Sequence, residues 1–400
     1  MELKTELLCK GVAPSESYLK QLQSRGETFS WGRSGGAGPT GGRYFAIRNP
    51  SYPGRGYSLA NVPLIPEPAG YSDLTVDREL ERGPPTSGGG TGDWPPGDST
   101  LVALARSGVD LAELALLSTP SMHQEELEPG VPFGKVALVH GVDCLATTLD
   151  QQCKYWSEGK KCLFCAIQLS WKSGRALKEK PPHLLARAVE RAVEAGRCNH
   201  VTLTSGTGPG PDKGVERILA VAKELADLGV KVPLHVQFEP LADPARELRY
   251  MEQLKAAGVV SVGIHLEAWN EEVRARVCPG KSAVPRSRYL EAWRNAAGVF
   301  GAGQVETYLL LGVGDSPQDL REAVEEICAT GTIPFLVTVR EGATTGFRPE
   351  SLAPRWKEVL ELHRHAGKVL KERGLSPFSS KAGCVRCGGC SAVPEAYLEA

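Results

Sequence analysis

Six short β-branched runs, separated by amphipathic segments, constrain the fold of this chain more than any other feature. The runs are "KVALVH" (Lys135 to His140), "HVTLTS" (His200 to Ser205), "VPLHVQF" (Val232 to Phe238), "VVSVGIHL" (Val259 to Leu266), "QVETYLLLG" (Gln304 to Gly312) and "IPFLVTV" (Ile333 to Val339). Helical periodicity falls near 182–196, 213–228, 245–257, 287–299, 316–330 and 352–373. Asp315-Ser316-Pro317 reads as a helix start. Gly229, Gly258 and Gly331 stand where a left-handed residue ends a helix before the next strand. Strands alternating with helices predict an α/β fold with a parallel sheet. Eight units close a barrel, so six predict a partial (β/α)6 barrel. Such folds gather their chemistry at the C-terminal ends of the strands.

The flanking regions have a different texture. Residues 1–130 read as an irregular N-terminal accessory domain with Gly/Pro-rich stretches at Arg33 to Arg43 and Arg82 to Gly97. Between these, "RYFAIRNP" and "YSLANVPLI" read as short strands. The "GGAGP" stretch lacks the Lys-Ser/Thr ending of a phosphate-binding loop. The barrel is expected over 131–345, and a C-terminal helix with a cysteine-rich segment over 346–400. A formal net charge of -1 with mixed signs argues against a nucleic-acid binder. No apolar run of ~18 residues is present, which argues against a membrane span. "MELKTELLCKGV" lacks the apolar core of a secretory signal, so a cytoplasmic location is the expectation.

Six of the eleven cysteines fall in two tight triplets. In a reducing compartment such clusters read as metal sites rather than disulfides. Cys198 and Cys328 read as ordinary core residues. Cys153, Cys162 and Cys165 have the spacing C-x8-C-x2-C, in the loop after the first run. Zinc wants four ligands, often as two C-x2-C units. Only three are local here, with Cys144 nearby but closer to the strand end. On an iron–sulfur cluster, three thiolates leave one iron open for a substrate or cofactor.

With "CLFC" in this loop, the chain resembles the radical S-adenosylmethionine (SAM) superfamily. Its members bind a [4Fe–4S] cluster with three cysteines after the first strand of a partial (β/α)6 barrel, commonly as C-x3-C-x2-C. The first gap here is x8 instead of x3. The resemblance implies Cys153, Cys162 and Cys165 as cluster ligands, with Phe164 near the adenine. It implies an open iron chelated by the amino and carboxylate groups of SAM. One electron would cleave a carbon–sulfur bond, and the resulting 5′-deoxyadenosyl radical would abstract hydrogen away from solvent. A small-molecule substrate and an electron donor such as flavodoxin or ferredoxin follow as partners.

The resemblance extends along the later strand ends. "TSGTG" takes the position of the family's "GGE" motif, so Ser205, Gly206 and Thr207 would hold the SAM amino group without the glutamate. "QFEP" offers Gln237 and Glu239. "HLEAWNEEVRARVCPGK" offers His265, Glu267, Arg276 and Lys281. Arg276 and Lys281 are the candidates for the methionine carboxylate. The "LGVGD" region is similar to the family's "GxIxGxxE", which packs near adenine. His265 has the bland alternative of a barrel-core histidine. Glu272 and Arg274 read as solvent-facing, and Arg276 as a partner for Glu272 four residues earlier.

The closing "KAGCVRCGGCSAVPEAY" places Cys384, Cys387 and Cys390 as C-x2-C-x2-C. A second, auxiliary [4Fe–4S] cluster, a zinc knuckle and a redox tail are the readings. "GGAGP", "CLFCAI", "LTSGT", "VFGAGQVETYLLLGVGD" and "KAGCVRCGGCS" together resemble one group within the superfamily, the radical SAM proteins of a conserved bacterial nitrilase-associated gene cluster. That likeness implies modification of a small nitrogen-containing metabolite. The competing readings are a sulfur-inserting synthase of biotin or lipoyl synthase type and a zinc-stapled, non-catalytic binding protein.

Overall fold

The computed structural model describes residues 1–24, 42–64, 72–81, 94–340 and 345–400. The "GGAGP" stretch and residues 82–93 lie outside the described residues. The first part of the chain carries more regular structure than its composition suggests. Six strands, β1 (Ala13–Pro14), β2 (Gly42–Arg48), β3 (Tyr57–Pro63), β4 (Leu74–Glu79), β5 (Ser99–Arg106) and β6 (Val109–Leu117), form one sheet in the order β1-β4-β5-β6-β2-β3. "RYFAIRNP" and "YSLANVPLI" supply β2 and β3, which pair antiparallel from Gly42↔Pro63 to Arg48↔Tyr57. Phe45, Val62, Val76, Val102 and Leu114 form the apolar core of this sheet with Leu7 and Tyr18 of the flanking helices.

A short hairpin (β7, Glu126–Glu128; β8, Val131–Pro132) leads into the second sheet. This comprises β9 (Leu138–His140), β10 (Cys144–Thr148), β11 (His200–Thr204), β12 (Leu234–Gln237), β13 (Val259–Gly263), β14 (Val305–Leu311) and β15 (Thr332–Thr338). Its order is β15-β14-β13-β12-β11-β10-β9. Strands β10 to β15 run parallel, and β9 pairs antiparallel with β10 at the edge. Six parallel strands, with no pairing between β15 and β9 or β10, make the predicted partial barrel.

The identity of the first strand is a correction. "KVALVH" is split into a helical turn, Phe133–Val136, and the antiparallel β9. The first parallel strand is "CLATT". Its polar residues hid it, yet Cys144 pairs with His200 and Thr148 with Thr204. The helices match the periodicity closely: Pro182–Glu194, Val215–Asp227, Pro244–Ala256, Arg286–Phe300, Pro317–Cys328 and Trp356–Glu372. Ser316 starts one of them through a reciprocal capping box with Asp319. Gly229, Gly258 and Gly331 have φ of 84°, 89° and 82°. Apolar residues alternate outward from the strands to meet the helices: Leu145, Val201, Leu203, Val236 and Val262 lie in one core with Leu219, Leu254 and Trp293.

Several inward positions are small or polar, unlike the branched residues that fill a complete barrel. Cys144, Ala146, Thr202, Thr204, Gln237 and Tyr308 line an interior cavity of ≈ 200 Å³. The C-terminal segment closes its floor at the N-terminal ends of the strands. Glu306 accepts the Cys384 and Val385 N–H groups at 3.2 and 2.9 Å, Ser261 donates to Ala382 O at 3.0 Å, and Gly383 N–H donates to His200 Nδ1 at 3.3 Å. Helices Glu2–Lys10 and Val393–Glu399 hold this floor in place. Lys4 Nζ reaches Gly388 O at 2.7 Å and both Glu395 oxygens at 2.9 Å, with both side chains 2% exposed. Removing one partner of a buried pair strands the other charge. Lys4→Met is therefore expected to lower stability by about 3–5 kcal/mol in chemical denaturation, and Lys4→Met/Glu395→Met by less.

Candidate functional site

The first cysteine triplet sits at the C-terminal ends of the parallel strands. Cys153 follows β10 and stands just before a helical turn, Lys154–Ser157. Gly159, with φ of 70°, turns the chain toward Cys162. A backbone bond from Cys165 N to Cys162 O, 3.1 Å, folds the C-x2-C half into a tight turn. The three thiols lie within electrostatic reach of one another. Burial pushes Cys165 up to about 12, with Cys162 and then Cys153 adding to the rise while the Ile167 N–H opposes it. Burial also raises Cys153, against N–H groups of Tyr155 and Thr207 directed at its sulfur. Cys162 is lowered, first by a hydrogen bond from the Cys278 thiol. N–H groups aimed at sulfur suit thiolates, which matches the donor set an iron–sulfur cluster needs.

The loop after β11 packs directly on this segment. Gly206 N donates to Asp150 O at 2.9 Å, and Lys154 N donates to Thr207 O at 2.8 Å. A Cβ on Gly206 would fall 1.7 Å from the Gln152 carbonyl oxygen, so only glycine fits. Ser205 lies between this contact and the end of β11. Glu239, beyond β12, accepts from Tyr155 Oη at 2.9 and 3.1 Å, from Thr207 Oγ1 at 3.3 Å and from Lys213 Nζ. It thus ties the x8 gap and the "TSGTG" turn together. The gap residues "KYWSEGKK" are held at Tyr155 rather than left hanging: Gly280 lies so close that a Cβ there would meet the Tyr155 ring at 2.2 Å.

The strand-end residues beyond β13 divide into two groups. Lys281 Nζ bonds Glu267 Oε1 at 2.6 Å and His265 O at 3.4 Å, with Glu267 at φ 76°. Lys281, Glu267 and Glu239 all act electrostatically on Cys162. Phe164 packs with Cys162 and Leu163 against Val277, Cys278, Leu310 and Val313, beside the "LGVGD" turn. Arg276 is exposed and donates to Val313 O at 2.9 Å. It makes no pair with Glu272. Arg274, expected at the surface, is 1% exposed and pairs with Glu271 at 3.5 Å. The helix Glu271–Val277 turns that residue inward beneath Tyr289.

His265 and Gln237 belong to the barrel interior. The His265 ring stacks on Tyr308 with centroids 3.7 Å apart. It lies 2.7 Å from where a Cβ on Gly263 would stand. Burial depresses His265 well below its ordinary pKa. Tyr308 Oη contacts Gln237 Nε2 at 3.5 Å and Cys384 Sγ at 2.8 Å. Tyr308 therefore reaches from the roof of the cavity to its floor. At the floor, Cys384, Cys387 and Cys390 line the same cavity as Gln237, Thr204 and Phe335. Burial pushes Glu306 up to about 7, against the Val385 and Cys384 N–H groups. The sequence reading noted Glu306 on the fifth strand but gave it no role, and it missed Tyr308 and Cys278. The alternation "HVTLT" and "VETYLLL" was the available signal, because a strand buried on both faces ordinarily carries continuous apolar residues.

Among the described residues, no three His, Cys, Asp or Glu side chains converge as a shell for a single ion. Cys384, Cys387 and Cys390 line a cavity. No described helix is long and apolar enough to cross a membrane.

Residues 159–327 match the model of the radical SAM superfamily. The match takes in Cys162 and Cys165 and begins after Cys153. A curated relative, bacteriochlorophyllide c C-7(1)-hydroxylase from Chlorobaculum limnaeum, is 26% identical over 246 residues, covering 58% of this chain and 60% of the hydroxylase. The chain thus spans less than two thirds of that relative. Similar solved structures include methylornithine synthase (14% identity, 63% of this chain and 71% of the other, TM-score 0.43). A radical SAM methyltransferase from Sphaerobacter thermophilus is another (16% identity, 78% and 76%, TM-score 0.43). The family match covers four of the six parallel strands, β11 to β14, together with the C-x2-C turn, and leaves out β10 and β15. On the curled six-stranded parallel sheet, residues 159–327 form a radical SAM superfamily domain, and the chain is an enzyme of that class.

Proposed function

We propose that this enzyme abstracts hydrogen from a small, nitrogen-containing metabolite held inside the barrel, between a SAM-binding cluster at the roof and an auxiliary cluster at the floor. The observation that carries this reading is the interior cavity itself. It has cysteines at its floor, and Thr204 and Gln237, the last residues of β11 and β12, at its roof. Its ≈ 200 Å³ is below the ~300–1,000 Å³ of pockets for drug-sized ligands, which favours a small substrate over one the size of a bacteriochlorophyllide. The Thr202, Thr204 and Tyr308 hydroxyls and the Gln237 amide offer a small polar molecule directional hydrogen bonds.

A [4Fe–4S] cluster on Cys153, Cys162 and Cys165 supplies one electron for reductive cleavage of SAM. Around it, the chain provides positioning. Gly206 lets the "TSGTG" turn press against the cysteine loop, where Ser205 and Thr207 face the SAM amino group. Glu239 locks Tyr155 and Thr207 into one frame. Lys281, held by Glu267 and acting on Cys162, supplies a cation for the SAM carboxylate. Phe164 offers an aromatic edge to adenine. Arg276 is engaged with the Val313 carbonyl oxygen, and the Lys281 ammonium takes the carboxylate role in its place.

Anaerobic reconstitution tests the proposal. About eight irons per chain are expected for two [4Fe–4S] clusters. Reduction in the presence of SAM is expected to yield 5′-deoxyadenosine, with the yield rising when the right small nitrogen-containing metabolite is added. Colourless protein with stoichiometric zinc, and no SAM cleavage, would overturn it.

A further inference from the structure

The floor of the cavity holds four cysteines, not three. Cys144 opens β10, far along the chain from the C-terminal triplet. Its side chain faces inward, and it lines one cavity with Cys384, Cys387 and Cys390. Cys144 and Ala146 form a small buried cluster with Cys387. The Tyr44 ring lines this cavity with the four cysteines, and a Cβ on Gly389 would stand 2.7 Å from it. The buried Cys198 and Cys328 differ: they lie in the apolar core between sheet and helices, away from this cavity.

We propose that Cys144 is the fourth thiolate ligand of the second iron–sulfur cluster, completing a set with Cys384, Cys387 and Cys390. The inference rests on the auxiliary-cluster reading above and adds to it the missing ligand. The space argues for a cluster over a single ion. Among the described residues, no three of these side chains converge as a shell for one ion, and the four cysteines instead line the floor of a cavity. The backbone is also cut back around the sulfurs. Cβ atoms on Gly141 and Gly389 would stand 3.5 and 3.7 Å from Cys387 Sγ. Hydrogen-bond donors meet two of the sulfurs: Tyr308 Oη lies 2.8 Å from Cys384 Sγ, and Thr202 Oγ1 lies 3.5 Å from Cys144 Sγ. Two cations also reach the segment that carries the triplet: Arg55 donates to Cys387 O at 3.4 Å and Lys4 to Gly388 O at 2.7 Å. A four-thiolate cluster carries net negative charge, and these groups offset it in a dry site.

The assignment decides between roles. Three thiolates would leave an open iron able to bind substrate directly. Four leave none, so the substrate touches the cluster only through Tyr308, the cavity walls and the coordinated sulfurs.

The experiment uses full-length protein in which Cys153, Cys162 and Cys165 are alanine, so that only the second cluster can form. This protein is expected to retain about four irons. Mild ferricyanide oxidation should then give no [3Fe–4S] electron paramagnetic resonance signal, since no iron lacks a cysteine. Adding Cys144→Ser should produce that signal or lower the iron count, with circular dichroism checking that the variant folds. Ready formation of the [3Fe–4S] signal without Cys144→Ser, and no change on adding it, would overturn the Cys144 assignment while leaving the second cluster standing. The first of these measurements decides the matter even where Cys144→Ser does not fold. Absence of iron from the triple variant would remove the auxiliary-cluster reading and the assignment together.

Discussion

Cys162→Ala is expected to abolish reductive cleavage of SAM and to lower the iron content from about eight to about four per chain. The geometry explains the size of the effect. Cys162 lies at the meeting point of the site, in reach of Cys165, Cys278, Lys281, Glu267 and Glu239. Its loss removes one of three ligands and leaves the cluster with two thiolates. The floor is untouched by this change, because Cys384, Cys387 and Cys390 line a cavity from which Cys162 is absent. Anaerobic iron counting and 5′-deoxyadenosine quantification on the same sample separate the outcomes. Retained cleavage in the variant would show that the first triplet is not the SAM-cleaving centre.

Gly206→Ala is expected to have an effect nearly as large, although it removes no ligand. The added Cβ would lie 1.7 Å from the Gln152 oxygen and 2.5 Å from its carbonyl carbon. Both are backbone atoms, so no side-chain rotation relieves the overlap. Either the "TSGTG" turn or the segment leading into Cys153 must shift. We expect a cost of about 2–4 kcal/mol in stability, the range of overpacking and strained-backbone substitutions. We also expect loss of the first cluster with the second retained. Gly298→Ala is the control: it lies in the helix Arg286–Phe300 with open space around it, and helix propensity predicts a neutral or slightly stabilising change of up to about 1 kcal/mol. Equal iron loss in the two variants would remove the steric argument.

Much of this was legible in the sequence, for identifiable reasons. Helix positions followed from periodicity because each helix has one buried face: Leu184, Leu185, Ala188, Val189 and Ala192 are buried along Pro182–Glu194. Five strands followed from β-branched residues. The first parallel strand did not, because "CLATT" holds no Val or Ile and turns the small Cys144 and Ala146 to the cavity. The spacing of Cys162 and Cys165 marked the strand-end loop at once. The burial of Arg274 was not legible, since "EEVRARV" carries charges on every face and only tertiary packing selects which one turns inward. The floor was the least legible part. His200, Ser261 and Glu306 sit near strand beginnings, where sequence rules place no chemistry, and the segment they hold comes from the far end of the chain.

The clasp between the chain's first helix and its last has a consequence for assembly. Lys4 can bury its ammonium only when Glu395 and Gly388 have arrived. On a ribosome the helix Glu2–Lys10 therefore waits through synthesis of the whole barrel, a contact of very high sequence separation and hence a slow one to form. Until then the underside of the sheet stays open. Metal destined for the thiols there is best delivered before the two helices meet, because the Lys4 clasp on Gly388 and Glu395 then fixes the segment that carries Cys387 and Cys390.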